Sequence, residues 1–143
     1  MSASSPVLHH IALTVTNLEK SIPWYEKVFA IGFQFEAPHQ GGTSKLLADD
    51  DWHLVIVLHR HDDNQGEAFT ETRTGLDHVG FMVDSRSDLE AWQDRLEKAG
   101  VKRAEAADRP LTQSPIAETP FGSILVFRDP DNIQLELYAP PGA

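Results

Sequence analysis

The feature that most constrains the fold is a short sequence that occurs twice. Residues 10–15, His-Ile-Ala-Leu-Thr-Val, return sixty-eight positions later as residues 78–83, His-Val-Gly-Phe-Met-Val. The same offset relates residues on both sides of this sequence: Leu8 and Leu76 before it, and Trp24 and Trp92, Lys27 and Arg95, and Gly32 and Gly100 after it. One strand–helix unit has therefore been used two times, with a histidine opening each copy.

Length and composition restrict the possible functions. The 143 residues are predicted to form one domain, 1–143. The absence of cysteine excludes disulfides, thiolate metal sites and cysteine nucleophiles, so a metal ion would need nitrogen and oxygen ligands. A net charge of −10 argues against a nucleic-acid partner and favours a small molecule. No signal peptide or membrane span is evident, so a cytoplasmic protein without a membrane partner is expected.

Hydrophobic periodicity divides the chain into two similar modules. Module one, about residues 8–60, is predicted to contain a strand, a helix and three more strands, and module two, about residues 76–139, repeats that order. The polar residues 61–75 are predicted to be a linker or a mobile lid, and residues 108–120, with three prolines, a long loop. Gly32 and Gly100 are predicted to end the two helices.

The final strand of each module alternates large aliphatic residues with a second set. In module two the aliphatic face carries Ile133, Leu135 and Leu137, and the opposite face carries Gln134, Glu136 and Tyr138. In module one His59 lies on the phase opposite Ile56 and Leu58. The alternation therefore places Glu136, Tyr138 and His59 away from the main aliphatic faces.

Four segments together resemble the vicinal oxygen chelate superfamily, which includes glyoxalases, bleomycin-resistance proteins and extradiol dioxygenases. They are residues 8–15, Trp24-Tyr25, residues 76–81 and residues 127–137. The resemblance implies an α+β fold of two tandem βαβββ modules whose mixed sheet curls into a cup, with the helices outside. It also implies one divalent metal ion on the concave face, held by His10, His78 and Glu136.

The residue pattern agrees with this implied ligand set. His10, His78 and Glu136 all fall on the strand phase opposite the large aliphatics, so they can share one face. Two imidazoles and one carboxylate suit Fe, Mn, Ni, Co or Zn and leave positions for water and substrate oxygens. Together with this ligand set, the resemblance implies a metal-dependent lyase, isomerase or dioxygenase that acts on a small oxygen-rich substrate, for which carbonyl and catechol-like compounds fit.

Some members of the superfamily carry a fourth, carboxylate ligand at the end of the first module. Aligning the two final strands places Glu136 on Val57 and Tyr138 on His59, so that carboxylate is absent here. The three-ligand pattern resembles extradiol dioxygenases and the fosfomycin-modifying thiol transferases more than glyoxalase I. The thiol transferases carry a threonine two residues after the first histidine, and this chain has Ala12 there. Since extradiol enzymes use a nearby histidine and tyrosine for acid–base work, the catalytic candidates are Glu136, His59 and Tyr138.

Each candidate also has a purely structural interpretation. His10 and His78 could be ordinary strand histidines, and Glu136 could form an ion pair with Arg128 or another base. His59 and His61 lie where a strand meets a polar linker, which is also where solvated histidines collect.

Two hypotheses compete with the metal-dependent enzyme. One is a metal-free protein, resembling bleomycin-resistance proteins, that sequesters a cationic drug in an acidic cup. The other is a degenerate module kept for dimerisation. The resemblance also implies a homodimer, with the metal site within one chain or shared by two.

Overall fold

The chain divides into two compact units, residues 1–65 and residues 66–143. The structure is a computed structural model and describes residues 2–142. Within this range no helix is long and apolar enough to cross a membrane.

The first unit is a βαβββ module. It contains β1 (Ile11–Thr14), α1 (Leu18–Phe29), β2 (Gly32–His39), β3 (Gly42–Ala48) and β4 (Val55–His61). The strands form a mixed sheet in the order β1-β4-β3-β2, in which only β1 and β4 are parallel. The helix packs on β4 and buries Tyr25 and Val28, while the sheet buries Ile56 and Leu58. This apolar contact fixes the helix on one face of the sheet.

The second unit repeats this order with additional short strands. It contains β5 (Val79–Met82), α2 (Arg86–Lys98), β6 (Lys102–Arg103), β7 (Thr112–Gln113), β8 (Ala117–Thr119), β9 (Gly122–Arg128) and β10 (Gln134–Ala139). The sheet order is β5-β10-β9-β7-β6, with β8 also paired to β9. Leu89 and Leu96 of the helix, and Leu135 and Leu137 of β10, are buried. The α+β class and the predicted strand–helix–strand order are confirmed.

The predicted loop over residues 108–120 is the clearest difference from the sequence analysis, because β7 and β8 both lie within it. Three prolines interrupt the segment, and proline cannot donate a ladder hydrogen bond. The short stretches between the prolines nevertheless pair with β9, and Ser114 N donates to Val126 O at 2.8 Å. Hydrogen bonding to β9 thus forms strands from residues whose own hydrophobic pattern does not predict them.

The two helices end differently. In α2, Gly100 adopts a positive φ of 88° directly after the helix, and Val101 N donates to Leu96 O at 2.9 Å, as expected for a glycine-ended helix. In α1 the left-handed residue is Ala30, with φ 54° and ψ 44°, whereas Gly32 begins β2. The prediction that Gly32 ends α1 is therefore wrong, while Gly100 acts as predicted.

Strand register shows that the two units are structurally equivalent. In the parallel pair of the first unit Ala12 lies opposite Val57, and in the second unit Gly80 lies opposite Glu136. Ala12 and Gly80, which are sixty-eight positions apart, therefore have equivalent partners in β4 and β10. Val57 occupies the position that Glu136 occupies in the other unit.

A glycine also recurs at the start of β3 and β9. A Cβ on Gly42 would collide with the Arg60 carbonyl oxygen and lie 2.9 Å from His39 Cε1. A Cβ on Gly122 would collide with the Ala139 carbonyl oxygen and lie 2.9 Å from Tyr138 Cε1. In both units a carbonyl oxygen of the neighbouring strand and the edge of a ring therefore leave no room for a side chain at this register position.

Residues from the predicted linker are fixed to the second unit. Phe69 N donates to Asp131 O at 2.8 Å, and the Asn132 side chain donates to Phe69 O at 3.1 Å. Glu71 accepts two hydrogen bonds from the Arg128 guanidinium, at 2.9 and 3.0 Å. The later part of residues 61–75 is thus tied to the turn between β9 and β10.

Candidate metal centre

Two of the predicted ligands meet in the second unit. Glu136 lies in the middle of β10, and His78 immediately precedes β5, the parallel neighbour of β10. His78 Nε2 lies 3.3 Å from Glu136 Oε2, and the Glu136 side chain is 18% exposed. Opposite Glu136 stands Gly80, where a Cβ would have nothing within 4 Å. The strand pairing therefore brings an imidazole and a carboxylate together beside open space.

A second carboxylate orients the His78 ring. His78 Nδ1 lies 2.8 Å from Asp77 Oδ1. Because a carboxylate oxygen only accepts, Nδ1 carries the hydrogen of this bond. When Nδ1 donates in this way, the lone pair of the neutral ring is on Nε2, the atom that faces Glu136. Metal-ligating histidines commonly share this arrangement, in which the second ring nitrogen donates to a carboxylate.

The spacing of these two groups fits coordination of one ion. Two neighbouring ligand atoms, each about 2.0–2.2 Å from an ion, lie roughly 3.0–3.5 Å apart. The 3.3 Å between His78 Nε2 and Glu136 Oε2 falls in that range. A nitrogen and an oxygen donor also suit the borderline and hard divalent ions expected for a chain without cysteine.

Of the basic partners considered for Glu136, Arg128 pairs with Glu71 instead, whereas His78 is the base that lies beside the Glu136 carboxylate. The Arg128 guanidinium is buried and donates to the Glu71 carboxylate, to Ala107 O at 2.7 Å and to Asn132 O at 3.1 Å. These bonds fix the turn between β9 and β10, in agreement with a structural role for Arg128.

His10 belongs to the first unit and is exposed. It immediately precedes β1, and its Nδ1 lies 2.9 Å from His9 Nδ1. His10 and His78 each lie one residue before their strands, which begin at Ile11 and Val79. Only Glu136 of the three predicted ligands lies on a strand. The assignment of His10 as a ligand stays a prediction.

The two further catalytic candidates lie on their final strands in equivalent positions. The Tyr138 hydroxyl donates to Phe121 O at 2.5 Å. His59 is half-buried, and its Nδ1 lies 3.3 Å from His39 Nε2. Each group thus already has a hydrogen-bond partner in its own unit, and their acid–base roles stay predictions.

Sequence reasoning missed a cluster of three histidines in the first unit. The ligand nitrogens of His39, His59 and His61 all lie within 4.8 Å of one another. His61 follows His59 on the same face of β4, while His39 ends β2 two strands away. The available signal was the His-x-His spacing in a strand together with the hairpin that follows His39.

The environment of the cluster affects protonation. Partial burial is the main cause that lowers the pKa of His59, and three neighbouring imidazoles lower it further: those of His39, His61 and His10. The shift favours the neutral imidazole, the form that can ligate a metal ion.

Comparison with known proteins places the chain in a family. The family described as "Glyoxalase/Bleomycin resistance protein/Dioxygenase superfamily" matches residues 7–137. A crystal structure of a glyoxylase/bleomycin resistance protein/dioxygenase domain from Frankia sp. EAN1pec is 34% identical, with a TM-score of 0.82, and the alignment covers 98% of this chain and 96% of that one.

Two curated relatives are longer proteins. The chain is 31% identical over 99 residues, 69% of its length, to a probable trivalent organoarsenical cleaving enzyme of Bacillus subtilis (strain 168). It is 27% identical over 139 residues, 96% of its length, to a manganese-dependent 2,3-dihydroxybiphenyl 1,2-dioxygenase of Geobacillus genomosp. 3. These alignments span 60% and 38% of the relatives' own lengths. With a family match over most of its length and the repeated fold described above, the chain belongs to the glyoxalase/bleomycin resistance protein/dioxygenase superfamily.

Proposed function

We propose that the chain is a divalent-metal-dependent enzyme that acts on a small, oxygen-rich substrate. The observation that carries the proposal is the pair formed by His78 Nε2 and Glu136 Oε2, 3.3 Å apart, with His78 held by Asp77. His78 and Glu136 would hold the ion, and His10 is proposed as the third ligand from the family resemblance. A bound divalent ion supplies a Lewis acid that stabilises negative charge on a substrate oxygen.

The residues of the chain have distinct roles in this proposal. Asp77 keeps the His78 ring in one orientation and one tautomer. Glu136, half-buried beside the open space at Gly80, is the proton acceptor next to the substrate. Because the equivalent position in the other unit is Val57, the first unit offers no second carboxylate there.

Among the reactions known in this superfamily, oxygenation of a catechol-type substrate is the best supported. Proton shuttling between adjacent carbons would benefit from a second carboxylate base, and Val57 stands in its place. The manganese-dependent dioxygenase relative aligns with 96% of this chain. Cleavage of a trivalent organoarsenical has less support, because trivalent arsenic is a soft centre held best by thiolates and the chain has no cysteine.

Manganese binding tests the proposed centre, since Mn²⁺ prefers ligand sets that contain oxygen. We expect about one Mn²⁺ per chain in untagged protein, measured by the loss of the free-ion electron paramagnetic resonance signal. His78→Ala and Glu136→Gln should weaken binding on the order of a hundredfold. The exposed residues His53 and Glu105 provide the matched controls His53→Ala and Glu105→Gln, which should bind as wild type.

The reaction is tested separately with catechol as probe. Metal-loaded wild type should consume oxygen, and Glu136→Gln should not. Mn²⁺ binding without oxygen uptake would retain the centre and remove the dioxygenase assignment. Absence of Mn²⁺ binding, together with tight bleomycin binding by metal-free protein, would support the sequestering alternative. The homodimer and the cytoplasmic location stay predictions.

A further inference from the structure

The three histidines of the first unit form a compact triangle of rings. The centroid distances are 5.2 Å between His39 and His59, 5.2 Å between His39 and His61, and 5.7 Å between His59 and His61. We propose that these three imidazoles are a second metal site, separate in its residues from the centre on His78 and Glu136, for a borderline divalent ion of the Zn²⁺, Ni²⁺ and Cu²⁺ class.

Strand register builds this triangle. His39 lies opposite Gly42, and Gly42 lies opposite His61, so the three positions form one row across β2, β3 and β4. Side chains in one row of a sheet point to the same face, and His59, two residues before His61, also lies on that face. The edge strand and β4 therefore direct their rings to a common point above β3.

Gly42 makes the convergence possible. It is the middle residue of the row, and a Cβ there would lie 2.9 Å from His39 Cε1. With no side chain on Gly42, the His39 ring can extend over β3 towards the two rings on β4. The backbone thus leaves space for this ring at the centre of the cluster.

A hydrogen bond presents one nitrogen of His39 to its neighbours. His39 Nδ1 lies 3.1 Å from the Gln40 carbonyl oxygen, which can only accept, so Nδ1 donates. In the neutral ring this leaves the lone pair on Nε2. That atom is the one that lies 3.3 Å from His59 Nδ1. A backbone carbonyl that fixes the tautomer in this way is typical of metal-ligating histidines.

The nitrogen spacing fits a tetrahedral ion. Two nitrogens bound to Zn²⁺ at about 2.05 Å lie about 3.3 Å apart, which matches the His39–His59 distance. His61 is within 4.8 Å of both and is exposed, so rotation of its side chain can bring its nitrogen into coordination distance. Three imidazoles select borderline ions over Mn²⁺ or Mg²⁺, and a fourth position stays open to water.

This site is independent of the proposed function, because it shares no residue with the His78–Glu136 centre. It also assigns His59 a different role from the acid–base role predicted from the sequence. A histidine whose lone pair is held by a metal ion cannot accept a proton from a substrate.

Zn²⁺ titration of the full chain tests the proposal. The titration uses the His78→Ala/Glu136→Gln double variant, so the first centre does not contribute. We expect calorimetry to give about one Zn²⁺ per chain. Replacement of Zn²⁺ by Co²⁺ should give the visible absorption of a tetrahedral nitrogen-ligated site. Adding His39→Ala or His61→Ala should weaken Zn²⁺ binding on the order of a hundredfold, whereas adding His53→Ala should leave it unchanged.

The alternative is a set of histidines joined only by hydrogen bonds and ring contacts. No Zn²⁺ binding by the double variant, or equal binding with and without His61→Ala, would overturn the proposal. His61 is exposed, so its variant keeps the test valid even if His39→Ala disturbs the hairpin. In otherwise wild-type protein, His39→Ala/His61→Ala should retain Mn²⁺ binding, so the two centres can fail separately.

Discussion

Arg128 is a buried cation whose charge is balanced by Glu71. The two side chains meet through paired hydrogen bonds of 2.9 and 3.0 Å, with 8% and 31% of their surfaces exposed. The bond from Arg128 is the main cause that lowers the pKa of Glu71 to about 2. A buried guanidinium without its carboxylate loses stabilisation that the solvent replaces only in part.

Glu71→Gln should therefore lower the free energy of unfolding by about 1–3 kcal/mol at neutral pH. In wild type the contribution is complete above the ordinary glutamate pKa of 4.5 and is lost as the pH falls towards 2. Urea denaturation at pH 7 and pH 3 measures this, and the two proteins should differ less at pH 3. Glu90→Gln, which removes an exposed partner of Arg86, should cost less than about 0.5 kcal/mol. An equal difference between Glu71→Gln and wild type at both pH values would contradict the assignment.

At this scale the sequence predicts individual residues better than clusters. The alternation in β10 places Glu136 on the phase opposite the buried aliphatic residues, as in the structure, and the repeated histidine leads to His78. Both residues of the candidate centre thus follow from patterns in the sequence. The histidine triangle does not, since it depends on pairing His39 with Gly42 and Gly42 with His61 across three strands. Single-strand periodicity contains no information on that register.

Among the secondary-structure elements, α1 ends in a strained way. Ala30 has the left-handed φ of 54° that disfavours residues with a Cβ. Ala30→Gly should raise the free energy of unfolding by about 1 kcal/mol. Gly100 has φ 88°, and a Cβ there would have nothing within 4 Å, so Gly100→Ala should lower it by about 1 kcal/mol through the backbone alone. Urea midpoints of the two variants would refute this explanation if they moved in the same direction.

The elements that the sequence predicts are those long enough to show a complete hydrophobic repeat. Both helices and the long strands follow from apolar spacing, and in the structure the Asn17 side chain accepts from Lys20 N at the start of α1. The strands β7 and β8, with two and three residues, are too short to show alternation. They exist because β9 offers hydrogen-bond partners, which is a tertiary effect.

For the whole chain, the boundary between the two units should be the first site of cleavage. Residues 62–78 contain no helix or strand, and Glu67 is exposed, whereas Glu71 is held by Arg128. Glutamyl endopeptidase should therefore cut first after Glu67, giving fragments 1–67 and 68–143 by mass spectrometry. Glu67→Gln should slow this first cut at least about tenfold. A first cut within residues 79–139 would show that another segment opens more readily.

The duplication can be recognised in the sequence, because the offset of sixty-eight residues persists from the first strand through the helix. The number of strands in the second unit cannot be predicted in the same way, since β7 and β8 lie in the proline-containing segment. The repeat predicts what the halves share, and the structure adds where they differ.

Gly42 and Gly122 occupy equivalent positions in the two units, but the rings beside them come from different strands. In the first unit the ring of His39, from the preceding strand of the hairpin, lies against Gly42. In the second unit the ring of Tyr138, from the last strand, lies against Gly122. The same register position thus accepts a ring from either of two strands, so each unit presents its own chemical group there through the choice of side chain. Grafting experiments that exchange these rings between the halves would then require few compensating changes.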